Sequence, residues 1–489
     1  MTNRADPLLP IKMDSTSNGE FLPLALPKRL QAAQAMAADR LTAQARRLGQ
    51  SRRGFLGSLC GAATTLLAFN HAHAAIGNLG GRFAVDPEAA LDPAAAEATI
   101  GANGDLIFDV QTHLVDPKGA WRNNAGRGFE RVLAWWPQGS CGLPDPTECY
   151  DAHHFIKEVF LDSDTDLAVL SFIPAPDLYN PLSAKEADRV RRLVDMLEGD
   201  HRLLLHSMVL PNLQPRQRQL EQMERAAAEW PIAAWKVYTQ WGVDGRGWAL
   251  DDPEIGIPFI EKARQVGVKT ICIHKGFPLR RMSPDFATCA DIGRAARLYP
   301  DVTFIVYHSG FEIGRREGVY DPADADRGID ALVKSLADNG IAPNSNVYAE
   351  LGSTWRMAMR DPTAAAHTLG KLLKYVGNER VLWGTDSIWY GSPQDQILAF
   401  RSFEIAPELQ ERHGYPALTP AVKAGVFGLN ALPVYGVDAG DFRRKAASDN
   451  VRYARSRYGE EARPSFATYG PTSRREFLAL ERQRGGYPD

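Results

Sequence analysis

The sequence predicts an α/β chain built on a TIM-type (β/α)8 barrel, with a long insertion after the first strand and a C-terminal extension. Two observations carry this. From residue 105 onward, short β-branched or apolar runs alternate with longer stretches of helical spacing, the pattern of repeated βα units, and eight such runs are found. Several of them end directly in a side chain suited to chemistry, namely His113, His274, His308 and Asp386, at the strand ends where parallel barrels build their sites.

The residues before the barrel read as a leader. Ser51-Arg52-Arg53-Gly54-Phe55-Leu56 sets paired arginines before a modestly apolar segment, residues 57–69, and Ala72-His73-Ala74 supplies the small residues of a cleavage point. This resembles a twin-arginine export signal with Arg52 and Arg53 as its recognition pair. The apolar run falls short of the roughly 20 residues that a spanning helix needs. The expectation is therefore a cleaved leader over residues 1–74, export to the periplasm by the twin-arginine machinery, and no stable membrane anchor.

Composition agrees with a globular product. Apolar residues make up 44% and charged residues 24% of the 489 residues, and the mean hydropathy is −0.29, which excludes a membrane or disordered class. Without residues 1–74 the chain loses nine Lys/Arg and four Asp/Glu and carries a net charge of −8, so nucleic acid is not an expected partner. Four cysteines then remain, Cys141, Cys149, Cys272 and Cys289, with no CxxC pair and so no thiolate zinc signature. Cys141 and Cys149 bracket a Pro-rich loop and are read either as a bridge in an oxidising compartment or as two inert thiols.

The barrel, residues 105–438, has expected strands at 105–110, 166–172, 202–209, 232–237, 268–273, 302–307, 346–351 and 380–385. Helical spacing is clearest at 187–197, 257–266 and 329–336. Residues 114–165 are far longer than an ordinary βα loop and carry Trp121, Phe129, Trp135 and Trp136. They read as a lid or as a small aromatic subdomain. The extension, 439–489, holds eleven Arg/Lys against seven acids, and is expected to wrap the barrel or a neighbouring subunit of a homodimer.

The first strand ends in Ile107-Phe108-Asp109-Val110-Gln111-Thr112-His113-Leu114. Alternation puts Gln111 and His113 on one face and Thr112 on the other. His274 follows the fifth strand and Asp386 the eighth; imidazole and carboxylate together suit zinc and similar divalent ions.

These segments, with Tyr307-His308-Ser309-Gly310, Trp383-Gly384-Thr385-Asp386, Phe427-Gly428-Leu429-Asn430-Ala431 and Tyr435-Gly436, resemble the metal-dependent amidohydrolase superfamily. The likeness is to the branch containing aminocarboxymuconate-semialdehyde decarboxylase and resorcylate-type decarboxylases. The resemblance implies a divalent metal, zinc by expectation, held by Gln111, His113, His274 and Asp386, with His308 contacting substrate or water. It departs from the family at Gln111, where that branch has His or Glu, and a neutral amide is the poorer zinc ligand. Candidate substrate contacts are Lys236, expected as the free amine, with Glu350, Trp121 and Trp389; Glu350 is read equally as a structural carboxylate or as an orienter of a histidine.

The expected activity is an exported hydrolase acting on a small organic substrate, aromatic or carboxylic, through metal-activated water, with Asp386 taking the water proton and His308 stabilising developing charge. A non-oxidative decarboxylase is the alternative, and a catalytically reduced ligand-binding barrel the third reading.

Overall fold

The computed structural model describes residues 8–124, 141, 143–173, 175–176, 180–198, 202–242, 245–277, 283–460, 466 and 468–483. Phe129, Trp135 and Trp136 of the long loop lie outside the described residues, as does His201.

Eight parallel strands pair in sequence order: β1 (Phe108–Thr112), β2 (Leu167–Leu170), β3 (Leu203–Met208), β4 (Ile232–Tyr238), β5 (Thr270–His274), β6 (Thr303–Tyr307), β7 (Val347–Glu350) and β8 (Val381–Leu382). All eight expected strands are present. The barrel closes between its first and last members through Val110 N–H to the Trp383 carbonyl at 3.0 Å and Asp386 N–H to the Gln111 carbonyl at 2.9 Å. The strand β8 pairs over only two residues because the chain after it turns, with Asp386 at φ +64°.

Alternation along the strands sorts the core. Trp235, Ile271, Ile273, Phe304 and Val306 face the surrounding helices, whereas Ala234, Cys272 and Ile305 fill the barrel interior. The strand β1 breaks the rule. A register irregularity between Asp109 and Thr112 lets Val110 join the interior cluster and still turns Gln111 and His113 together toward the mouth.

The expected leader is packed into the fold. Helices α1 (Lys28–Arg47), α2 (Arg52–Leu56) and α3 (Leu59–Ala74) lie against the barrel. Leu30, Ala33, Ala37 and Leu41 form a buried stripe on α1 at three- and four-residue spacing, and Ala63, Leu66 and Phe69 of α3 join the main core. The segment Gly81–Phe83 pairs antiparallel with Phe403–Ile405. Upstream of α1, Ile11, Met13, Thr16, Ser17 and Asn18 are buried as residues 9–21 run across the barrel mouth. Arg52 and Arg53 themselves are exposed. No described helix is long and apolar enough to cross a membrane.

The extension crosses the same end of the barrel. Trp389 carbonyl accepts the main-chain N–H groups of Tyr469 and Gly470 at 2.7 and 2.6 Å, and Pro471 carbonyl accepts that of Ser17 at 2.9 Å. Cys141 and Cys149 form a disulfide.

Candidate metal centre

Two groups of polar side chains meet in the buried mouth. The first comprises Gln111, His113 and Asp386. Gln111 Nε2 donates to Asp386 Oδ1 at 3.0 Å and lies 3.5 Å from His113 Nε2, and His113 Nε2 stands 3.1 Å from Asp386 Oδ1. The second comprises His274, His308 and Glu20. His274 Nδ1 is 3.1 Å from Glu20 Oε1 and His308 Nε2 is 3.3 Å from Glu20 Oε2. Asn18 joins the two, its Nδ2 donating to Glu20 Oε2 at 2.5 Å and to Asp386 Oδ2 at 2.6 Å.

The histidine hydrogen bonds fix which ring nitrogen faces the site. His113 Nδ1 lies 3.0 Å from the Ser171 carbonyl, and His308 Nδ1 lies 2.7 Å from the Gly352 carbonyl. A carbonyl can only accept, so each Nδ1 carries a proton and each ring turns its Nε2 toward a carboxylate. Lone pair against carboxylate is repulsive unless a proton or a cation stands between them. Burial pushes the His308 imidazole down to about 4, so near neutral pH the proton is unavailable there. Among the described residues, both ring nitrogens of His274, Nε2 of His308 and Oε1 of Gln111 are buried without an aligned hydrogen-bond partner. Glu20, His274 and His308 each offer a ligand atom within 4.8 Å of the others. This donor set fits a divalent cation.

Local backbone geometry sets these groups. His308, Ser353 and Asp386 have φ of +63°, +54° and +64°, a conformation that costs non-glycine residues on the order of 1 kcal/mol or more. It is held by hydrogen bonds: Glu350 Oε2 accepts the His308 main-chain N–H at 3.0 Å, Thr354 Oγ1 donates to the His308 carbonyl at 2.8 Å, and the Ser353 and Asp386 side chains join through Oγ to Oδ2 at 2.5 Å. Gly384 of the Trp-Gly-Thr-Asp motif has its reason here, since a Cβ would collide with Glu350 Oε1. Asp109 ties the motif to β1 by accepting the Thr385 main-chain N–H at 3.0 Å and the Thr385 hydroxyl; burial pushes its carboxyl up to about 7.

Electrostatics separate the carboxyls by role. Burial raises both Glu20 and Asp386, but His274 and His308 more than reverse this for Glu20, and the contact with His113 does so for Asp386. Both are ionised. Burial, reinforced by the Asp386 charge, pushes Glu350 up to about 8. Lys236 on β4 is fully buried, with Nζ 3.6 Å above the Tyr307 ring and no hydrogen-bond acceptor among the described residues, and burial brings it down to about 8.

The sequence-predicted residues thus divide. His113, His274, His308, Asp386 and Gln111 converge, and Glu350 supports His308 from behind. Trp389 lines the wall beside His113, with ring centroids 6.4 Å apart. Trp121 is buried with its indole N–H donated to the Asp116 carbonyl at 2.8 Å, and it borders a cavity of about 820 Å³ with Phe172, Ser207 and Met208, a lining that includes none of the converging histidines. Asn18, Glu20, Ser353 and Tyr390 were not legible as site residues. Tyr238, whose hydroxyl donates to Glu20 Oε1, was within reach, because it follows Lys236 by two positions on the same strand face.

Among solved structures, the chain is similar to 5-carboxyvanillate decarboxylase from Sphingomonas paucimobilis, at 14% identity and TM-score 0.41 over 68% of this chain and 99% of the other. It is similar also to 4-oxalomesaconate hydratase from Rhodopseudomonas palustris, at 14% identity and TM-score 0.40 over 73% and 99%, and to 2,6-dihydroxybenzoate decarboxylase from Rhizobium, at 14% identity and TM-score 0.37 over 68% and 99%. At such identities and scores these likenesses carry no argument about the reaction. Comparison with curated proteins returns no match. The family profile described as amidohydrolase matches residues 108–437, which takes in all eight barrel strands and every converging residue except Asn18 and Glu20, and the chain belongs to this amidohydrolase family.

Proposed function

We propose that the protein is a metal-dependent hydrolase of the amidohydrolase type, acting on a small organic anion. Members of the family use a divalent metal, and the observation that carries the reading is the set of buried His274 and His308 nitrogens that, among the described residues, have no aligned hydrogen-bond partner and face the ionised Glu20 carboxylate. His113, His274, His308 and Asp386 would hold the ion. When bound, it supplies Lewis acidity toward a carbonyl and toward water.

The chain's own groups supply the rest. Asp386, kept ionised, accepts the proton of the attacking water and returns it to the leaving group. The Ser353 hydroxyl on Oδ2 and the Gln111 amide on Oδ1 hold that carboxylate in place. Lys236 Nζ has no hydrogen-bond acceptor among the described residues and offers its ammonium to a substrate carboxylate. Trp389 and Tyr390 close the site against bulk water.

Export through the twin-arginine route is part of the proposal. It is supported by the exposure of Arg52 and Arg53 and by the Cys141–Cys149 disulfide, which suits an oxidising compartment. Cutting at Ala74 would take Leu66 and Phe69 from the core and Glu20 from the site, so the packing supports a retained N-terminal segment.

The test is metal content measured before and after a chelator, with His274→Ala, His308→Ala and Asp386→Ala alongside, and turnover of carboxylated aromatic amides and lactones. Metal-dependent hydrolysis is expected, with loss of metal in all three variants. A chain without metal would overturn the reading, and carbon dioxide release from hydroxybenzoates without hydrolysis would replace it by decarboxylation.

A further inference from the structure

We propose that Glu20, carried across the barrel mouth by the N-terminal segment, is a metal ligand that supplies the anionic donor the first barrel strand lacks. The inference rests on the metal-dependent reading above and adds a ligand from outside the barrel.

Glu20 reaches the site through a built connection. Lys12 Nζ donates to the Tyr390 and Ser392 carbonyls at 2.5 and 3.1 Å, and its main-chain N–H donates to Asp395 Oδ2 at 3.0 Å. Asp14 Oδ1 accepts from Arg356 Nη2 at 2.6 Å. Phe21 stacks on Phe277 with centroids 5.5 Å apart. These contacts flank residues 15–20 on both sides and hold Glu20 with its two oxygens on His274 and His308.

Donor chemistry makes the case. At position 111 the barrel offers a neutral amide whose Oε1 has no partner and whose Nε2 is spent on Asp386. An amide oxygen is a weak ligand for a zinc-like ion. Two buried imidazoles and a carboxylate within 4.8 Å of one another are the stronger donor set. His308 Nε2 makes no aligned hydrogen bond to the Glu20 oxygen that it approaches at 3.3 Å, so that contact is not satisfied as a hydrogen bond. Glu20 and Asp386 also share the Asn18 amide. Two carboxylates drawn to one amide in a buried site repel each other, and a divalent cation among the donors would offset that repulsion beyond what the neutral Asn18, Tyr238, Ser353 and Gln111 donors do.

The experiment uses the full chain. Zinc affinity is measured by competition with a chromophoric chelator for wild type, Glu20→Gln and Glu20→Asp, and cobalt(II) is titrated into each chelator-treated protein while the visible spectrum is recorded. Melting of the metal-free proteins controls for folding. Glu20→Gln is expected to lose roughly tenfold or more in zinc affinity, to shift the cobalt spectrum, and to keep the metal-free melting temperature. Glu20→Asp, which keeps the charge on a shorter stem, is expected to fall between and provides the comparison should Glu20→Gln fail to fold. Zinc affinity and cobalt spectrum unchanged in both variants, with metal bound by wild type, would overturn this inference alone and make residues 9–21 a plug over the mouth. A wild-type chain that binds neither ion overturns the functional reading and this one together.

Discussion

His308 is held in place by Glu350. The Glu350 carboxyl accepts the main-chain N–H of His308 at 3.0 Å and that of Gly352 at 2.5 Å, and the His308 ring donates Nδ1–H to the Gly352 carbonyl at 2.7 Å. One side chain therefore sets both the backbone and the ring direction of a histidine 42 positions earlier.

Removing that carboxyl is expected to act twice. Glu350→Ala leaves two buried N–H groups unpaired, costing roughly 2 to 5 kcal/mol, and frees the His308 ring to turn. The urea midpoint should fall accordingly and turnover should fall with it. A variant as stable as wild type would show that water or relaxation replaces the carboxyl.

Gln111 is the place to alter ligand strength. Gln111→Glu puts a second carboxylate where Nε2 now donates to Asp386 Oδ1 at 3.0 Å. Without metal the pair repels and the melting temperature should drop; with zinc the added anion should tighten binding. Opposite signs for the metal-free and zinc-loaded proteins are expected. A drop in both would place Gln111 away from the ion.

Acid should loosen the N-terminal segment through Asp14. Burial raises this carboxyl, but Arg356, the Thr16 main-chain N–H and Arg360 together outweigh it and bring it down to about 2 from 3.8. A depressed pKa contributes stability above the unfolded value and loses it as pH falls through the folded one. The contribution, on the order of 2 kcal/mol, is therefore present at pH 4 and gone near pH 2. Asp14→Asn should be less stable than wild type at pH 7, and the gap should close between pH 4 and pH 2 in denaturant titrations. A gap that does not change with pH would locate the stabilisation in packing.

Replacing Arg52 and Arg53 with Lys keeps the charge but removes the guanidinium pair. Precursor is expected to stay in the cytoplasm, and intact mass of the exported wild type is expected to include residues before 74. Unchanged delivery would remove the export reading, and a mass that begins after Ala74 would remove Glu20 from the working site.

Local pattern was enough for much of this protein. Strand period, helix period and polar residues at strand ends are properties of neighbours in sequence, so β1 to β8, the barrel, and the candidates His113, His274, His308 and Asp386 could be read directly. The N-terminus shows the limit of that locality. Paired arginines before an apolar run read as a leader whatever the run packs against, and nothing within residues 9–21 has a period that marks Ile11, Met13 or Asn18 as buried. Their burial comes from surfaces hundreds of positions away, such as Arg356, Tyr390 and Asp395. Only the tertiary structure could bring Glu20 to His274 and Ser353 to Asp386, because a donor set is defined by distances in space, and sequence separation does not encode them. What the sequence by itself determined was the barrel and which of its strand ends carry chemistry; what the fold decided was which groups complete the site.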